Sequence, residues 1–335
     1  MPTTTTTVIT GTGRYVPPRV VTNSDLEKMM DTSDDWIRQR SGIVERHYVE
    51  AGIGSSDLGV EAALRALEDA ETDKSEIDFL IAATLSPDYY FPGNGVLIQH
   101  KLGLGTIGAL DVRNQCSGFI YALSIADQYI KTGTYHKILI VASEVQSSNL
   151  DYSDEGRDMA VLFGDGGGAV IVEANSNGDG RGILSTNLFS DGRFASDLWM
   201  VHPSPKNKPT FYHSLIDNRE FYPRMDGRNV FKNASEKMPE AVKLALEDAQ
   251  LTVDDVALLI PHQANDRISQ MVARGLKIPL EKVVRNIDRY GNTTAASIPI
   301  ALDEAVKEGR LKAGDILVLT AFGSGFTWGS AVIRW

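Results

Sequence analysis

The chain carries one cysteine, Cys116, among 335 residues, which excludes a disulfide within the chain and any cysteine-rich zinc site. Histidine is also scarce: the six present show no HExxH-like spacing, so no metal ligands are assigned. No run approaches the roughly eighteen apolar residues that a membrane helix needs, and the beginning, MPTTTTTVIT, lacks the basic start and apolar block of a signal peptide. The expected compartment is therefore the cytoplasm. Basic residues are in deficit, 33 Lys plus Arg against 44 Asp plus Glu, for a net charge of −11. That balance argues against nucleic acid or an anionic membrane as partner. The remainder, 42% hydrophobic and 23% charged, is globular composition.

What is present is a repeat. ALEDAETDKSEIDFLI, beginning at Ala66, aligns without gaps with ALEDAQLTVDDVALLI, beginning at Ala245, and KILIVAS at Lys137 matches DILVLTA at Asp315 at nearly the same offset. Both pairs end in runs of Ile, Leu and Val without polar alternation, the pattern of strands covered on both faces. Alternation with helical segments predicts layered α/β structure in two related halves, residues 1–175 and 176–335. The stretch Asp191–Asp226, rich in proline and aromatics without a period, predicts a long excursion: a pocket wall, a dimer contact or an ordinary surface loop. GLGTIG, at Gly103–Gly108, precedes a strand instead of following one, so it does not bind a dinucleotide. Gly164, Gly166, Gly167 and Gly168 lack the Lys and Ser or Thr of a phosphate loop and predict a tight turn.

Three residues at strand-to-helix junctions carry chemistry. Cys116 stands between GALDV and the amphipathic run GFIYALSIADQYI, where free N–H groups and the helix dipole favour a thiolate. His262 follows the buried strand VALLI, at the strand end where α/β proteins present ligand-binding groups. Asn292 sits in a glycine turn before a small-residue helix. Cys116 and His262 each alone also fit a structural role, as core thiol and strand-end histidine. Together the three supply a nucleophile, a proton donor or acceptor and an oxyanion donor.

CSGFIYAL around Cys116, HQANDRI from His262, GNTTAASIP from Gly291, AFGSGFTWGSA from Ala321, DTSDDWIRQRSGI from Asp31 and LFGDGGGA from Leu162 closely resemble β-ketoacyl-acyl-carrier-protein synthase III, in the same order and over almost the whole chain. The resemblance implies the thiolase fold, an αβαβα sandwich of two pseudo-dyad-related halves, and a homodimer. It implies condensation of an acyl-CoA, by default acetyl-CoA, with malonyl-acyl-carrier protein, initiating fatty acid biosynthesis. CoA thioesters are then substrates and no resident cofactor is needed.

Carried over residue by residue, the resemblance makes Cys116, His262 and Asn292 catalytic, with the backbone N–H groups of Cys116 and Ser324 as the oxyanion hole. It puts Trp36 and Arg157 on the CoA adenine, Arg40 near the phosphates and Asn265 also against CoA. Phe91, reaching into the neighbouring subunit, and Phe322 shape the acyl pocket; a Phe91 packed in its own core is the bland alternative. Arg267, Lys232 and Arg274 dock the acidic carrier protein. Ser324 in a usual glycine run departs from the family but keeps the backbone donor, and Gln115 before the cysteine, with the Asp191–Asp226 segment, leaves the primer open. A relative in secondary metabolism, using a longer or aryl primer, is the other enzyme reading. A papain-like hydrolase also uses Cys, His and Asn, but its cysteine motif differs. A non-catalytic thiolase-fold subunit predicts a degenerate triad, and here all three residues are present.

Overall fold

The computed structural model describes residues 5–335. One sheet comprises β1 (Thr6–Tyr15), β2 (Phe79–Ala83), β3 (Gly108–Val112), β4 (Lys137–Glu144) and β5 (Gly166–Asn175), in the order β1-β5-β4-β2-β3. The other comprises β6 (Gly182–Ser190), β7 (Val256–Pro261), β8 (Ile316–Gly323) and β9 (Thr327–Arg334), in the order β6-β9-β8-β7. Pairing runs antiparallel, antiparallel, parallel along β1-β5-β4-β2 and again along β6-β9-β8-β7. The sequence repeat is thus a repeat of topology: KILIVAS and DILVLTA lie on the equivalent strands β4 and β8.

The helices needed to place the site are α1 (Asp34–Ser41), α2 (Ser55–Asp69), α3 (Asn94–Leu102), α4 (Gly118–Lys131), α5 (Gly227–Asp248), α6 (Asp266–Leu276) and α7 (Ser297–Lys307). Alternate residues of each strand face opposite layers. Leu80, Ala82, Leu139 and Val141 pack outward with α2 and α3. Ile81, Ala83, Ile138 and Ile140 pack inward, in one cluster with Phe119, Ile120 and Leu123 of α4, Ile298 and Leu302 of α7, and Leu317 and Leu319 of β8. On the far side, Val318 and Val332 pack with α5 and α6. The order of layers is helix, sheet, central helices, sheet, helix: the thiolase fold. Because α4 and α7 lie between two sheets, most of their residues are buried, and the exposed residues of α4 are Gln128 and Lys131 near its end. The acids of α7 are paired: Asp303 with Arg14 at 2.5 Å and Lys307 at 2.8 Å, Glu304 with Arg289 at 2.7 Å.

The glycine run differs from the tight turn predicted for it. Gly166, Gly167 and Gly168 are strand residues of β5. A Cβ on Gly167 would stand 2.6 Å from the carbonyl oxygen of Leu58 in α2, and one on Gly168 would stand 2.8 Å from the Pro299 side chain in α7. Side chains are missing there because helices press on both faces of the strand, a need local pattern does not reveal. Gly168→Ala is therefore expected to destabilise the protein by about 1–3 kcal/mol through overpacking. Urea denaturation checks this, and an unchanged midpoint would contradict the close packing of α7 on β5.

Candidate active site

Each of the three junctions is built by a strand end and the helix or turn that follows. Cys116 sits in a one-turn 3-10 segment, Gln115–Ser117, between β3 and α4. Gln115 has φ of +45°, a left-handed conformation rare for a residue with a side chain. The Ser117 and Thr327 hydroxyls, 2.8 Å apart, tie this turn to β9. His262 directly follows β7, its N–H donating to the Thr320 carbonyl of β8 at 2.8 Å. Asn292 is held through its backbone, donating to the Leu162 carbonyl at 2.8 Å and accepting from the Gly164 N–H at 3.1 Å. Its Oδ1 accepts the Thr294 N–H at 2.9 Å, which leaves Nδ2 as the free end of the amide.

All three residues line one cavity of about 1530 Å³. Cys116 is 7% exposed, His262 2% and Asn292 6%. Burial lowers the His262 pKa to about 3, so the imidazole is neutral at physiological pH. Its Nδ1 lies 2.7 Å from the Ser297 hydroxyl, and its buried Nε2 has no protein partner.

The thiolate expected at a helix start is not what this site favours. Burial, followed by the charge of Glu144, pushes the Cys116 thiol up to about 12. The cysteine precedes α4 by a 3-10 turn, and desolvation outweighs the dipole.

Several site residues escaped sequence reasoning. Glu144, at the end of β4 and fully buried, accepts from the Leu85 N–H at 3.1 Å, the Ser86 hydroxyl at 2.7 Å and the Ala295 N–H at 3.4 Å. It joins the segment after β2 to the turn of Asn292. Gly323 abuts the nucleophile: a Cβ there would be 2.9 Å from the Cys116 nitrogen. Ser297 lay inside a quoted motif but had no assigned role. His202 lines the cavity from the 191–226 excursion, with its Nε2 2.8 Å from a Glu220 carboxylate oxygen and its Nδ1 3.0 Å from Asn207 Nδ2. Leu198, Trp199, Phe221, Pro223 and Met225 line it too, so the excursion is a pocket wall.

The remaining candidates divide. Ser324 and Phe322 line the cavity, and Phe322 packs on Phe326 with ring centroids 4.7 Å apart. Asn265 lines it as well, but its amide is already engaged: Oδ1 caps α6 by accepting the Arg267 N–H at 2.9 Å, and Nδ2 donates to the Arg40 carbonyl at 2.8 Å. Trp36, Arg40 and Arg157 stand outside the cavity wall as a cluster of their own. The Arg40 and Arg157 guanidinium carbons lie 4.5 and 5.3 Å from the Trp36 ring centroid, in direct cation–π contact. A base stacked between Trp36 and Arg157 must first displace that arginine. Phe91 is 80% exposed, so it does not pack in the core of its own chain. Arg267, Arg274 and Lys232 are exposed and form no ion pair among the described residues, whereas Arg285 and Arg289 are paired with Asp266 and Glu304. Among the described residues there is no cluster of metal-ligating side chains and no helix long and apolar enough to cross a membrane.

Two half-sheets stacked on shared central helices, with cysteine, histidine and asparagine on one cavity, define a condensing enzyme of thiolase fold. Residues 110–192 match the family model described as 3-oxoacyl-[acyl-carrier-protein (ACP)] synthase III, and residues 246–335 match that of its C-terminal part. The β-ketoacyl-[acyl-carrier-protein] synthase III of Alkalilimnicola ehrlichii is 46% identical over 329 residues, 98% of each chain. That of Thioalkalivibrio sulfidiphilus is 45% identical over 326 residues, 97% of this chain and 98% of its own. The crystal structure of 3-oxoacyl-[acyl-carrier-protein] synthase III from Aquifex aeolicus superposes with a TM-score of 0.89 at 43% identity, covering 98% of this chain and all of that one. The chain belongs to the β-ketoacyl-acyl-carrier-protein synthase III family and is an acyltransferase.

After burial, the Glu144 charge is the second cause that keeps the Cys116 proton on, so removing that charge should lower the thiol pKa. Glu144→Gln is expected to speed alkylation of Cys116 by iodoacetamide at mildly alkaline pH, about tenfold for each unit by which the thiol pKa falls. An unchanged rate, with the fold intact by circular dichroism, would show that burial alone raises the thiol.

Proposed function

We propose that this chain condenses an acyl-CoA primer with malonyl-acyl-carrier protein to give 3-ketoacyl-acyl-carrier protein, the initiating step of fatty acid synthesis, with Cys116, His262 and Asn292 as its catalytic residues. The observation that carries this is the shared cavity: a sulfur from residues 1–175 faces an imidazole and a carboxamide from residues 176–335.

In the first half-reaction the Cys116 sulfur attacks the acyl-CoA carbonyl. A bond forms from sulfur to the acyl carbon, the bond from that carbon to the CoA sulfur breaks, and the thiol proton leaves with CoA as its thiol. The developing oxyanion takes hydrogen bonds from backbone N–H groups at Cys116 and in the Gly323–Ser324 loop. Gly323 has no side chain to separate that loop from the Cys116 nitrogen.

In the second, the bond between the malonyl carboxylate and its methylene carbon breaks. CO₂ departs, and the electron pair stays behind as an enolate whose oxygen accepts from His262 Nε2–H and Asn292 Nδ2–H. The enolate carbon attacks the Cys116 thioester, a carbon–carbon bond forms, and the cysteine sulfur is released and regains a proton. No strong base is needed, because the carboxylate leaves as CO₂. A neutral imidazole can donate to the enolate through its one N–H without handing it a proton, and burial makes His262 neutral.

Trp36, Arg40 and Arg157 suit the nucleotide end of CoA, where aromatic and guanidinium faces meet a base and its phosphates, with Asn265 holding α1 beside α6. The unpaired Arg267, Arg274 and Lys232 suit an acidic carrier protein. Exposed Tyr89, Tyr90 and Phe91 support a homodimer in which Phe91 of each subunit closes the other's acyl pocket beside Phe322. Dependence on CoA thioesters and a carrier protein suits a cytoplasmic enzyme.

Cys116→Ala is expected to abolish acyl-enzyme formation, read by mass spectrometry, while retaining malonyl-acyl-carrier-protein decarboxylation. His262→Ala and Asn292→Ala should do the reverse, with decarboxylation reduced about 10²–10³-fold; intact decarboxylation in that pair would refute their roles. Since His262 stays neutral far above its lowered pKa, decarboxylation by the wild type should be level between about pH 5 and 8, where an ordinary histidine titrates. A step near the usual histidine pKa would contradict the buried, neutral imidazole.

A further inference from the structure

We propose that Ser297 is a positioning residue that holds His262 in its Nε2–H tautomer, making the imidazole a hydrogen-bond donor to the enolate formed on decarboxylation; this rests on the condensing reading of the site.

The argument is a count of donors and acceptors in a closed space. The Ser297 side chain is buried, 3% exposed, at the first residue of α7. Its oxygen stands 2.7 Å from His262 Nδ1 and 3.4 Å from the Gln263 nitrogen, which donates to it. Gln263 has little freedom to turn away. Its Nε2 donates to the Pro261 carbonyl at 2.7 Å and the Val284 carbonyl at 3.1 Å, and its Oε1 accepts the Asn286 N–H at 3.1 Å.

Two arrangements remain. If Nδ1 carried the imidazole proton, two N–H groups would converge on the serine oxygen, and the serine O–H would be left buried without an acceptor among the described residues. If Nδ1 is bare, it accepts the serine O–H, the serine oxygen accepts from Gln263, and all three groups are satisfied. The second arrangement puts the proton on Nε2, the atom that is buried, lacks any protein partner and belongs to a residue lining the cavity. Ser297 thus decides which face of the imidazole chemistry the substrate meets.

The test combines a direct view of the tautomer with separated half-reactions. In the whole protein labelled with ¹⁵N-histidine, His262 of the wild type should show a protonated Nε2 and a bare Nδ1, a preference that Ser297→Ala should lose. Ser297→Ala should lower malonyl-acyl-carrier-protein decarboxylation about ten- to a hundredfold, as loss of a partner that orients a histidine does elsewhere, with acyl-enzyme formation within about twofold of wild type. Ser297→Thr, which keeps the hydroxyl, should recover most of the decarboxylation. A proton found on Nδ1 in the wild type would overturn the proposal, as would an equal fall of both half-reactions in Ser297→Ala. A wild-type protein unable to decarboxylate the malonyl substrate would instead sink the condensing reading, and the nitrogen spectrum would still decide the tautomer.

Discussion

Two central helices, each with most of its residues buried, govern this molecule. The central pair α4 and α7 is clamped between the sheets, and each begins beside a catalytic segment: α4 just after Cys116, α7 five residues after Asn292. Near their starts the two approach closely, since a Cβ on Gly118 would be 3.5 Å from that of Ala295. Burying both helices in one apolar layer therefore brings the nucleophile of one half to the carboxamide of the other. β7 and β8, packed on the same layer, deliver His262 and the Gly323 loop. The site is a by-product of core packing, which makes it rigid: interiors at this density do not adjust continuously.

That rigidity comes with desolvation. Cys116, His262 and Glu144 are all removed from water, and each is pushed toward its neutral form. The reacting groups thus meet fixed donors: backbone N–H groups by the sulfur, an amide end at Asn292 and an imidazole nitrogen at His262. Charge that develops on a substrate oxygen meets dipoles already oriented toward it, where the low dielectric makes them count for more than in water. Glu144 keeps hydrogen bonds from Leu85, Ser86 and Ala295, which tie the segment after β2 to the Asn292 turn.

Much of this was legible beforehand. The two-half architecture was visible because a repeat in sequence must fold as a repeat in topology, and runs such as KILIVAS can only be strands covered on both sides. The three residues that share the cavity were visible because each sits at a junction whose motif is long and specific. The glycine run of β5 was misread as a turn because the reason for it, helices pressing on both faces, lies some hundred residues away on each side in sequence (Leu58 and Pro299). The state of the thiol was misjudged because a helix start is a local feature, whereas burial is a property of the assembled layers. Asn265 was read as a ligand contact, but its amide is spent on capping α6 and holding Arg40. Ser297, Glu144 and Gly323 carried no signal as single letters; their roles exist only as distances to other segments.

The sequence by itself determined the architecture, because periodicity and the internal repeat are local and survive without knowledge of the fold, and its junction motifs singled out the three residues that meet on the cavity. Only the tertiary structure decided their protonation, which atom of His262 is offered to the cavity, and which glycines and carboxylates hold them in place. Those depend on desolvation and on hydrogen bonds between residues far apart in the chain, and neither quantity exists until the layers close.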